Sequence, residues 1–393
     1  MSKFTCIDLF CGAGGFSDGF RQAGFEVLAG VDNVNANVQT HKYNFPDSSV
    51  ICEDMVRLSP ERFEALTDIS PGELDVIIGG PPCQTFSTIG ISKIRSTTRN
   101  QLKMDPRNYL FQEYLKFVSY FHPSIFIMEN VPSMKTRYGG ELYAQMIEMI
   151  HDAGYQVRSS IIEAAGFGVP QQRRRLFTIG VKDGMDYQFP TPTHYNNNAN
   201  RHLELESEPQ SNHLAAYTTV RDAIEDLPLI KDGYREHHLP YSRHFGLSAY
   251  QTEMRNEFGT VGNNVCRVSN DRAKKIFAHM KPGDKYMDLS PEVRRILPFR
   301  EDIFHDRLKR LNMNLPSWTV IAHIGMDGYM YIHPTDDRTL SVREAARLQS
   351  FHDSFEFQGN MRQQYIQVGN AVPPLVARNL ATSVLKTLEQ KLR

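Results

Sequence analysis

The 393-residue chain has no charge excess, no paired cysteines and no long apolar run, and each absence argues against a class of function. Lys and Arg number 44 against 45 Asp and Glu, so whole-chain charge does not announce a nucleic-acid partner. Only an uneven distribution of charge could do so. The five cysteines, Cys6, Cys11, Cys52, Cys83 and Cys266, are odd in number, scattered and without a CxxC pair. That pattern argues against a disulfide framework or a zinc site and for a reducing compartment. No apolar run approaches the length of a membrane span. The amino-terminal MSKFTCIDLF lacks the basic start, apolar core and small-residue cleavage site of a signal peptide. We therefore expect a cytoplasmic protein with no membrane partner and no metal. Helix-turn-helix and zinc-finger signatures are also missing. Tryptophan occurs once, as Trp318 ahead of Thr319-Val320-Ile321, where it suits a core better than a base-stacking platform. What remains is an ordinary soluble composition, 40% hydrophobic and 23% charged, on a length sufficient for two domains.

Against that background one stretch stands out, LDVIIGGPPCQTFS at 74–87. Leu74 to Ile78 is a short apolar run cut off by Gly79-Gly80-Pro81-Pro82, which reads as a buried strand. Pro82 fixes its own φ and restricts Pro81, so the backbone entering Cys83 is stiff. A thiol on a rigid strand end, followed by a polar loop, is how a nucleophile would be placed. A free cysteine is more commonly a small buried hydrophobe, and this stretch alone leaves both readings open.

The first half of the chain alternates strand and helix. Strands are predicted at Phe4–Leu9, Glu26–Val31, Val50–Ile51, Leu74–Ile78, Ser124–Met128, Tyr155–Ile162 and Arg175–Val181. Helices are predicted after the glycine turn, from Asp32 to about Tyr43, and over Pro106–Phe121 and Leu142–Ala153. Such βα units imply an α/β fold with a mostly parallel sheet, which binds nucleotide-like ligands at the strands' carboxyl ends. The turn FCGAGGFSDGF, with Gly12, Gly14 and Gly15, permits close backbone approach to a ligand at a helix amino terminus. Asp32, ending the next strand, can grip ribose hydroxyls, and Asp54 can accept from an exocyclic amine; either acid could instead cap a helix. Ser17 occupies the place of a third glycine, so the turn does not match a pyrophosphate-binding dehydrogenase.

Beyond Cys83, residues 84–105 carry Lys93, Arg95, Arg99 and Lys103 against Asp105 alone. That length and charge suit a lid or loop that meets a polyanion, with a solvated surface loop as the alternative. Glu129 ends an apolar strand facing the same crevice, where burial would raise its pKa into the range of a useful acid. In Gln171-Gln172-Arg173-Arg174-Arg175, strand alternation would put Arg173 and Arg175 on one face.

The order and spacing of these pieces resemble the DNA (cytosine-5) methyltransferase family. FxGxG appears as Phe10-Cys11-Gly12-Ala13-Gly14, the proline-cysteine signature as GGPPCQTFS and ENV as Glu129-Asn130-Val131. QxRxR appears as Gln171, Arg173 and Arg175, followed distally by RTLSVREAARLQSF at 338–351 and QVGNAVPP at 367–374. The match covers residues 4–182 and 338–385. His352 departs from the family's usual proline and Cys11 from its common alanine, neither at a catalytic position. The resemblance implies a Rossmann-like S-adenosylmethionine-dependent methyltransferase domain plus a smaller irregular target-recognition domain. It divides the chain into 1–182, catalytic; 183–337, target recognition; and 338–393, distal motifs and a carboxyl-terminal helix returning to the catalytic domain. Within 183–337 the alternation is lost and charge divides. Residues 183–240 hold four basic side chains and ten acidic, whereas 267–310 hold twelve basic and seven acidic. One nucleic-acid face and one solvent face would give that asymmetry.

By resemblance, the catalytic residues are Cys83, Glu129, Arg173 and Arg175. Phe10, Gly12, Gly14, Asp32, Asp54, Pro81, Asn370 and Val372 would hold S-adenosylmethionine. Ser87, Arg95, Arg99, Arg107, Arg294 and Arg295 would contact DNA, and Arg343 and Arg347 would brace the smaller domain or touch phosphate. The implied reaction adds the Cys83 thiolate to carbon 6 of cytosine, which makes carbon 5 nucleophilic towards the methyl group. Glu129 would serve ring nitrogen 3 and the exocyclic amine, Arg175 the carbonyl oxygen, and Arg173 the backbone or the cysteine site. A base inside a duplex cannot offer carbon 6 to a thiol, so it must be flipped out. Partners would be double-stranded DNA and, in a restriction-modification system, a nuclease of the same site, with nucleoid association when DNA is bound. A tRNA methyltransferase on the same scaffold is the nearest alternative, although typically shorter in the variable region. A nicotinamide-dependent dehydrogenase would leave Cys83, Glu129 and the arginines unused. A catalytically dead DNA-binding regulator would not need every catalytic position filled.

Overall fold

A computed structural model describes residues 4–82, 109–196, 214–242, 246–299 and 308–391. The chain divides into two compact units. The first comprises residues 1–163, 174–191 and 372–393; the second comprises 164–173 and 192–371.

The first unit is an α/β sheet structure, as expected. Its strands are β1 (Thr5–Leu9), β2 (Glu26–Asp32), β3 (Ser49–Cys52), β4 (Val76–Gly79), β5 (Ile125–Asn130), β6 (Tyr155–Glu163) and β7 (Arg174–Lys182). They lie in the order β3-β2-β1-β4-β5-β7-β6. The first five are parallel, and β7 runs antiparallel to both β5 and β6. Strand order reverses beside β1, and the crevice at such a reversal is where ligands bind in open α/β sheets. The central strands are apolar on both faces because helices cover both. Cys6, Ile7, Leu9, Val76, Ile77, Ile78, Ile125, Phe126 and Ile127 are all fully buried. Each such branched side chain contributes about 1.5–3 kcal/mol by leaving water.

The helices of this unit are α1 (Gly15–Gln22), α2 (Asn35–Asn44), α3 (Pro60–Thr67), α4 (Leu110–Phe121), α5 (Glu141–Asp152) and α6 (Pro374–Lys391). Helix α4 buries Phe111, Tyr114, Leu115 and Val118 at helical spacing. Its Tyr114 hydroxyl reaches the carbonyls of Ile77 at 2.9 Å and Ile127 at 3.1 Å, tying the helix over β4 and β5. Helix α6 packs on α1 so closely that a Cβ on Gly19 would lie 2.3 Å from that of Ala377. Only glycine permits that crossing.

The second unit is irregular, as the loss of alternation predicted. Its described strands are two-residue pairings, such as Ser317–Trp318 beside Gln171–Gln172. Its described helices run to ten residues at most. Helices that short do not hold themselves, and four begin with reciprocal capping boxes. Trp318 is half-buried, its indole N–H donating to Met330 O at 2.9 Å. A separate apolar cluster gathers Ala273, Ile276, Phe277, Met280, Tyr286, Leu289, Leu308 and Ile332.

The boundary expected at 337/338 falls at 371/372. Arginines explain the difference. Arg347, fully buried on the helix Val342–Leu348, bonds Asp353 at 2.6 and 2.7 Å and Asp226 at 3.2 Å. Arg343, equally buried, bonds the carbonyls of Gly262, His352 and Phe355. Neither guanidinium reaches solvent, so phosphate contact by Arg343 or Arg347 is excluded and bracing is their work. Only residues 372–393 return to the first unit.

Candidate active site

Strands β1, β2, β4, β5 and β7 bring the candidate groups of the first unit to one end of the sheet. After β1 the chain turns at Phe10, which takes a left-handed conformation at φ 61° although it is not glycine. Such a conformation is held only where surrounding structure imposes it, and it clusters at functional turns. Gly12 at φ 54° and Gly14 at φ 101° continue the turn into α1. A Cβ on Gly12 would meet no described atom within 4 Å, so the backbone there faces open space. A ligand can approach it closely.

Asp32, at the end of β2, braces this turn. Its Oδ2 accepts from the Gly12 N–H at 3.0 Å. Its Oδ1 accepts from the Val34 N–H at 2.8 Å and the Asn37 amide at 2.9 Å. A carboxylate offers about four acceptor positions, so one on Oδ2 stays available for a ligand hydroxyl. Burial pushes the Asp32 pKa up, against those three hydrogen bonds. Asp54 is half-buried beyond β3, where its Oδ1 accepts from the Val56 N–H at 3.0 Å. It therefore caps a turn, the alternative reading of that acid, while keeping its other oxygen.

Glu129, near the end of β5, forms an ion pair with Arg175 of β7, Oε1 to Nε at 2.9 Å. Both side chains keep some exposure, 15% and 17%, so the carboxylate is held by a partner and is not sealed away as expected from sequence. A Cβ on Gly80 would lie 3.3 Å from Glu129 Oε2. The free oxygen thus sits against the segment that leads to Cys83. Asn130, which sequence reasoning passed over although it belongs to the ENV triplet, fixes that segment. Its amide nitrogen donates to Pro81 O at 3.3 Å, and its oxygen accepts from the Val131 N–H at 2.9 Å. Cys83 itself, with Ser87, Arg95, Arg99 and Arg107, lies outside the described residues.

Arg173 departs from expectation. Strand β7 starts at Arg174, so the alternation that would have paired Arg173 with Arg175 does not extend back to it. Arg173 is buried in the second unit, donating to the carbonyls of Val320 at 2.7 Å, Ala371 at 3.0 Å and Gly369 at 3.4 Å. It is a positioning residue for backbone. Gln171 works beside it, accepting from the Val320 N–H and donating to Leu348 O and Gln349 Oε1.

Asn370 ends a helix of the second unit and is exposed, while Val372 is buried where the chain re-enters the first. Arg295 is exposed after the short helix Pro291–Arg294, and Arg294 is half-buried with its guanidinium against Met287 Sδ. No cluster of His, Cys, Asp and Glu among the described residues could hold a metal ion. None of their helices is long and apolar enough to cross a membrane.

Comparison with known proteins gives a consistent answer. The profile of the C-5 cytosine-specific DNA methylases matches residues 4–386. The type II methyltransferase M1.HphI of Haemophilus parahaemolyticus is 37% identical, over 98% of this chain and 87% of its own. The type II methyltransferase M.AgeI of Thalassovita gelatinovora is 32% identical, over 96% of this chain and 98% of its own. A DNA modification methyltransferase encoded within an Escherichia coli prophage shares the fold, with a TM-score of 0.75 at 24% identity. That likeness covers 98% of this chain and all of the other.

Proposed function

The chain belongs to the C-5 cytosine-specific DNA methylase family and is a DNA cytosine-5 methyltransferase, and from that premise we propose that it methylates a flipped-out cytosine within one duplex sequence through a covalent Cys83 adduct. The observation that carries the reading is the Glu129 carboxylate, 2.9 Å from the Arg175 guanidinium and against the Gly80 backbone three residues before Cys83. A carboxyl and a guanidinium side by side can grip the two ends of one cytosine's pairing edge: Glu129 passes a proton to nitrogen 3 and accepts from the exocyclic amine, and Arg175 donates to the carbonyl oxygen. Charge that develops on the ring as the thiolate adds at carbon 6 is met by groups already in place. Asn130 and Pro82 keep the backbone before Cys83 from shifting as that bond forms.

The first unit also fits S-adenosylmethionine. The backbone at Gly12 opens onto free space, and Asp32 keeps one acceptor for a ribose hydroxyl. Asp54 keeps an oxygen for an amine, and Phe10 is held in a left-handed turn beside them. Pro81, Asn370 and Val372 complete the set by resemblance. When bound, S-adenosylmethionine supplies an electrophilic methyl group.

Choice of sequence falls to the second unit, and Arg294 and Arg295 in its basic stretch contact DNA together with Ser87, Arg95, Arg99 and Arg107. Relatives named type II methyltransferases support a place in a restriction-modification system, with a nuclease of the same site as partner. A cytoplasmic, nucleoid-associated protein would follow. Transfer of radiolabelled methyl from S-adenosylmethionine to duplex DNA and to tRNA tests the substrate; label in tRNA alone overturns the reading. Duplex containing 5-fluorocytosine should trap the enzyme at Cys83, because fluorine cannot leave carbon 5 as a proton does. Cys83→Ser should lose the trap and fall in rate by at least about 10³-fold, since a hydroxyl is far less ionised than a thiol near neutral pH.

A further inference from the structure

Beneath the glycine turn lies a polar cluster that the reaction does not use. Asp8 of β1, Ser17 of α1 and His41 of α2 are all fully buried, with exposures of 1%, 0% and 0%. Ser17 Oγ lies 2.6 Å from Asp8 Oδ2 and 3.1 Å from His41 Nε2. The imidazole is wedged between two glycines. A Cβ on Gly14 would come within 3.1 Å of its Cδ2, and one on Gly30 within 3.1 Å of Nε2. Gly14 is the left-handed residue that starts α1, so the ring sets how far the turn can sink towards the sheet. His41 Nδ1 has no hydrogen-bond partner among the described residues.

We propose that Asp8, Ser17 and His41 are a proton-sharing relay whose imidazole end positions the glycine turn for S-adenosylmethionine, an inference that rests on the cofactor reading above. A hydroxyl between a carboxyl and an imidazole can point either way. With Asp8 ionised, Ser17 donates to Asp8 and His41 Nε2–H donates to Ser17. With Asp8 protonated, Asp8 donates to Ser17 and Ser17 to Nε2, which forces the ring proton onto Nδ1. That leaves a buried N–H unpaired, a costlier defect than a bare lone pair. The ionised relay is therefore the better-satisfied one, and its negative charge favours a cationic sulfonium above the turn.

The charges around the cluster support a change near neutral pH. Burial, with help from Asp32 of β2, raises the Asp8 pKa to about 7, although the Ser17 hydrogen bond opposes it. Burial, with help from Arg21 of α1, lowers His41 to about 3. The neighbouring Cys6, Cys11 and Tyr114 groups are pushed well up by burial and stay neutral. Between about pH 4 and 6.5 the folded cluster thus carries its proton on Asp8, whereas the unfolded chain carries it on His41. The raised acid favours folding at low pH, and the lowered base favours it at high pH. The two slopes cancel in that window.

Calorimetric titration with S-adenosylmethionine from pH 6 to 8 tests the relay. Wild-type affinity should strengthen by about three- to tenfold as Asp8 ionises. Ser17→Ala removes a bond that lowers the Asp8 pKa, so the midpoint should move to higher pH and affinity should drop by about tenfold. His41→Leu fills the wedge without a donor and should weaken binding similarly, while His41→Gln, which keeps one, should restore it. Turnover at saturating cofactor and DNA affinity should stay unchanged in all three. Urea unfolding of His41→Leu should show stability falling as pH rises from about 4 to 7, because Asp8 is left uncompensated. If His41→Leu fails to fold, the Ser17→Ala midpoint decides alone. A wild-type affinity flat across pH 6–8, or an unmoved midpoint in Ser17→Ala, overturns the relay. Folded wild type that binds no S-adenosylmethionine at any pH overturns the cofactor reading, and the relay's role with it.

Discussion

The two units of this chain solve the same problem with different materials. The first buries apolar strands under helices and keeps its reactive polar groups for strand ends, where Glu129 and Arg175 remain partly open to solvent. The second has helices too short to bury much, and it substitutes buried charge. Arg347 lies between Asp226 and Asp353, and Arg338 is paired with Glu344 at 2.7 Å. The pKa directions record the contrast. Burial wins at Asp8 in the first unit and pushes its carboxyl up. In the second, Arg338 and His333 overcome burial and hold Glu344 down at about 2. Charge in the first unit is poised to act, and charge in the core of the second is committed to structure.

If that contrast is right, removing charge should cost activity in one unit and stability in the other. The largest effect is expected at Glu129. Glu129→Gln keeps the shape but loses the anion and the ion pair with Arg175, so turnover should fall by about 10²–10³-fold or more. Its thermal midpoint should stay within about 2 °C of wild type, because the pair is partly exposed and contributes little to folding. A Glu129→Gln protein that turns over normally would break the comparison at its most exposed point.

Arg347→Ala is the mirror image. It removes the guanidinium shared by two buried acids, leaving Asp226 to Arg255 and Asp353 to Arg343 and the Tyr241 hydroxyl. Losing one partner of a buried charge network should cost about 3–5 kcal/mol, measured by urea unfolding. Loss of activity from Arg347→Ala without loss of stability would mean that this arginine meets DNA after all.

How much of this was legible in the sequence follows the same division. Apolar runs such as Val76-Ile77-Ile78 and the stripe on α4 announce their own burial, so the sheet could be read strand by strand. The Glu129–Arg175 pair was half legible: each residue stood out, but their 2.9 Å contact depends on β7 lying antiparallel to β5. Arg343 and Arg347 left bracing and phosphate contact both open because a guanidinium on a helix says nothing about its partner, and Asp226 stands 121 residues away. Arg173 misled because strand alternation was extended one residue past the strand's start. The relay was invisible for a related reason. Asp8, Ser17 and His41 lie on three different elements, and only the packing of α1 and α2 over β1 brings them together.

The smallest effect concerns the surface of the second unit. Arg295 is exposed after Pro291–Arg294, and its half-buried neighbour Arg294 rests on Met287. Both lie in a stretch where basic side chains outnumber acidic ones, 12 to 7. Here the unit carries charge near its surface as well as in its core. Arg294→Gln with Arg295→Gln should leave folding within about 0.5 kcal/mol, as surface changes usually do. Binding to cognate and unrelated duplex should weaken alike, because phosphate contacts carry no sequence information. The slope of log affinity against log salt should flatten by about one unit for each phosphate that the protein no longer neutralises. A weakening confined to the cognate duplex, with the salt slope intact, would instead make one of these arginines a reader of base edges. Unchanged binding to both duplexes would remove this face from the DNA altogether and leave recognition to other parts of the chain.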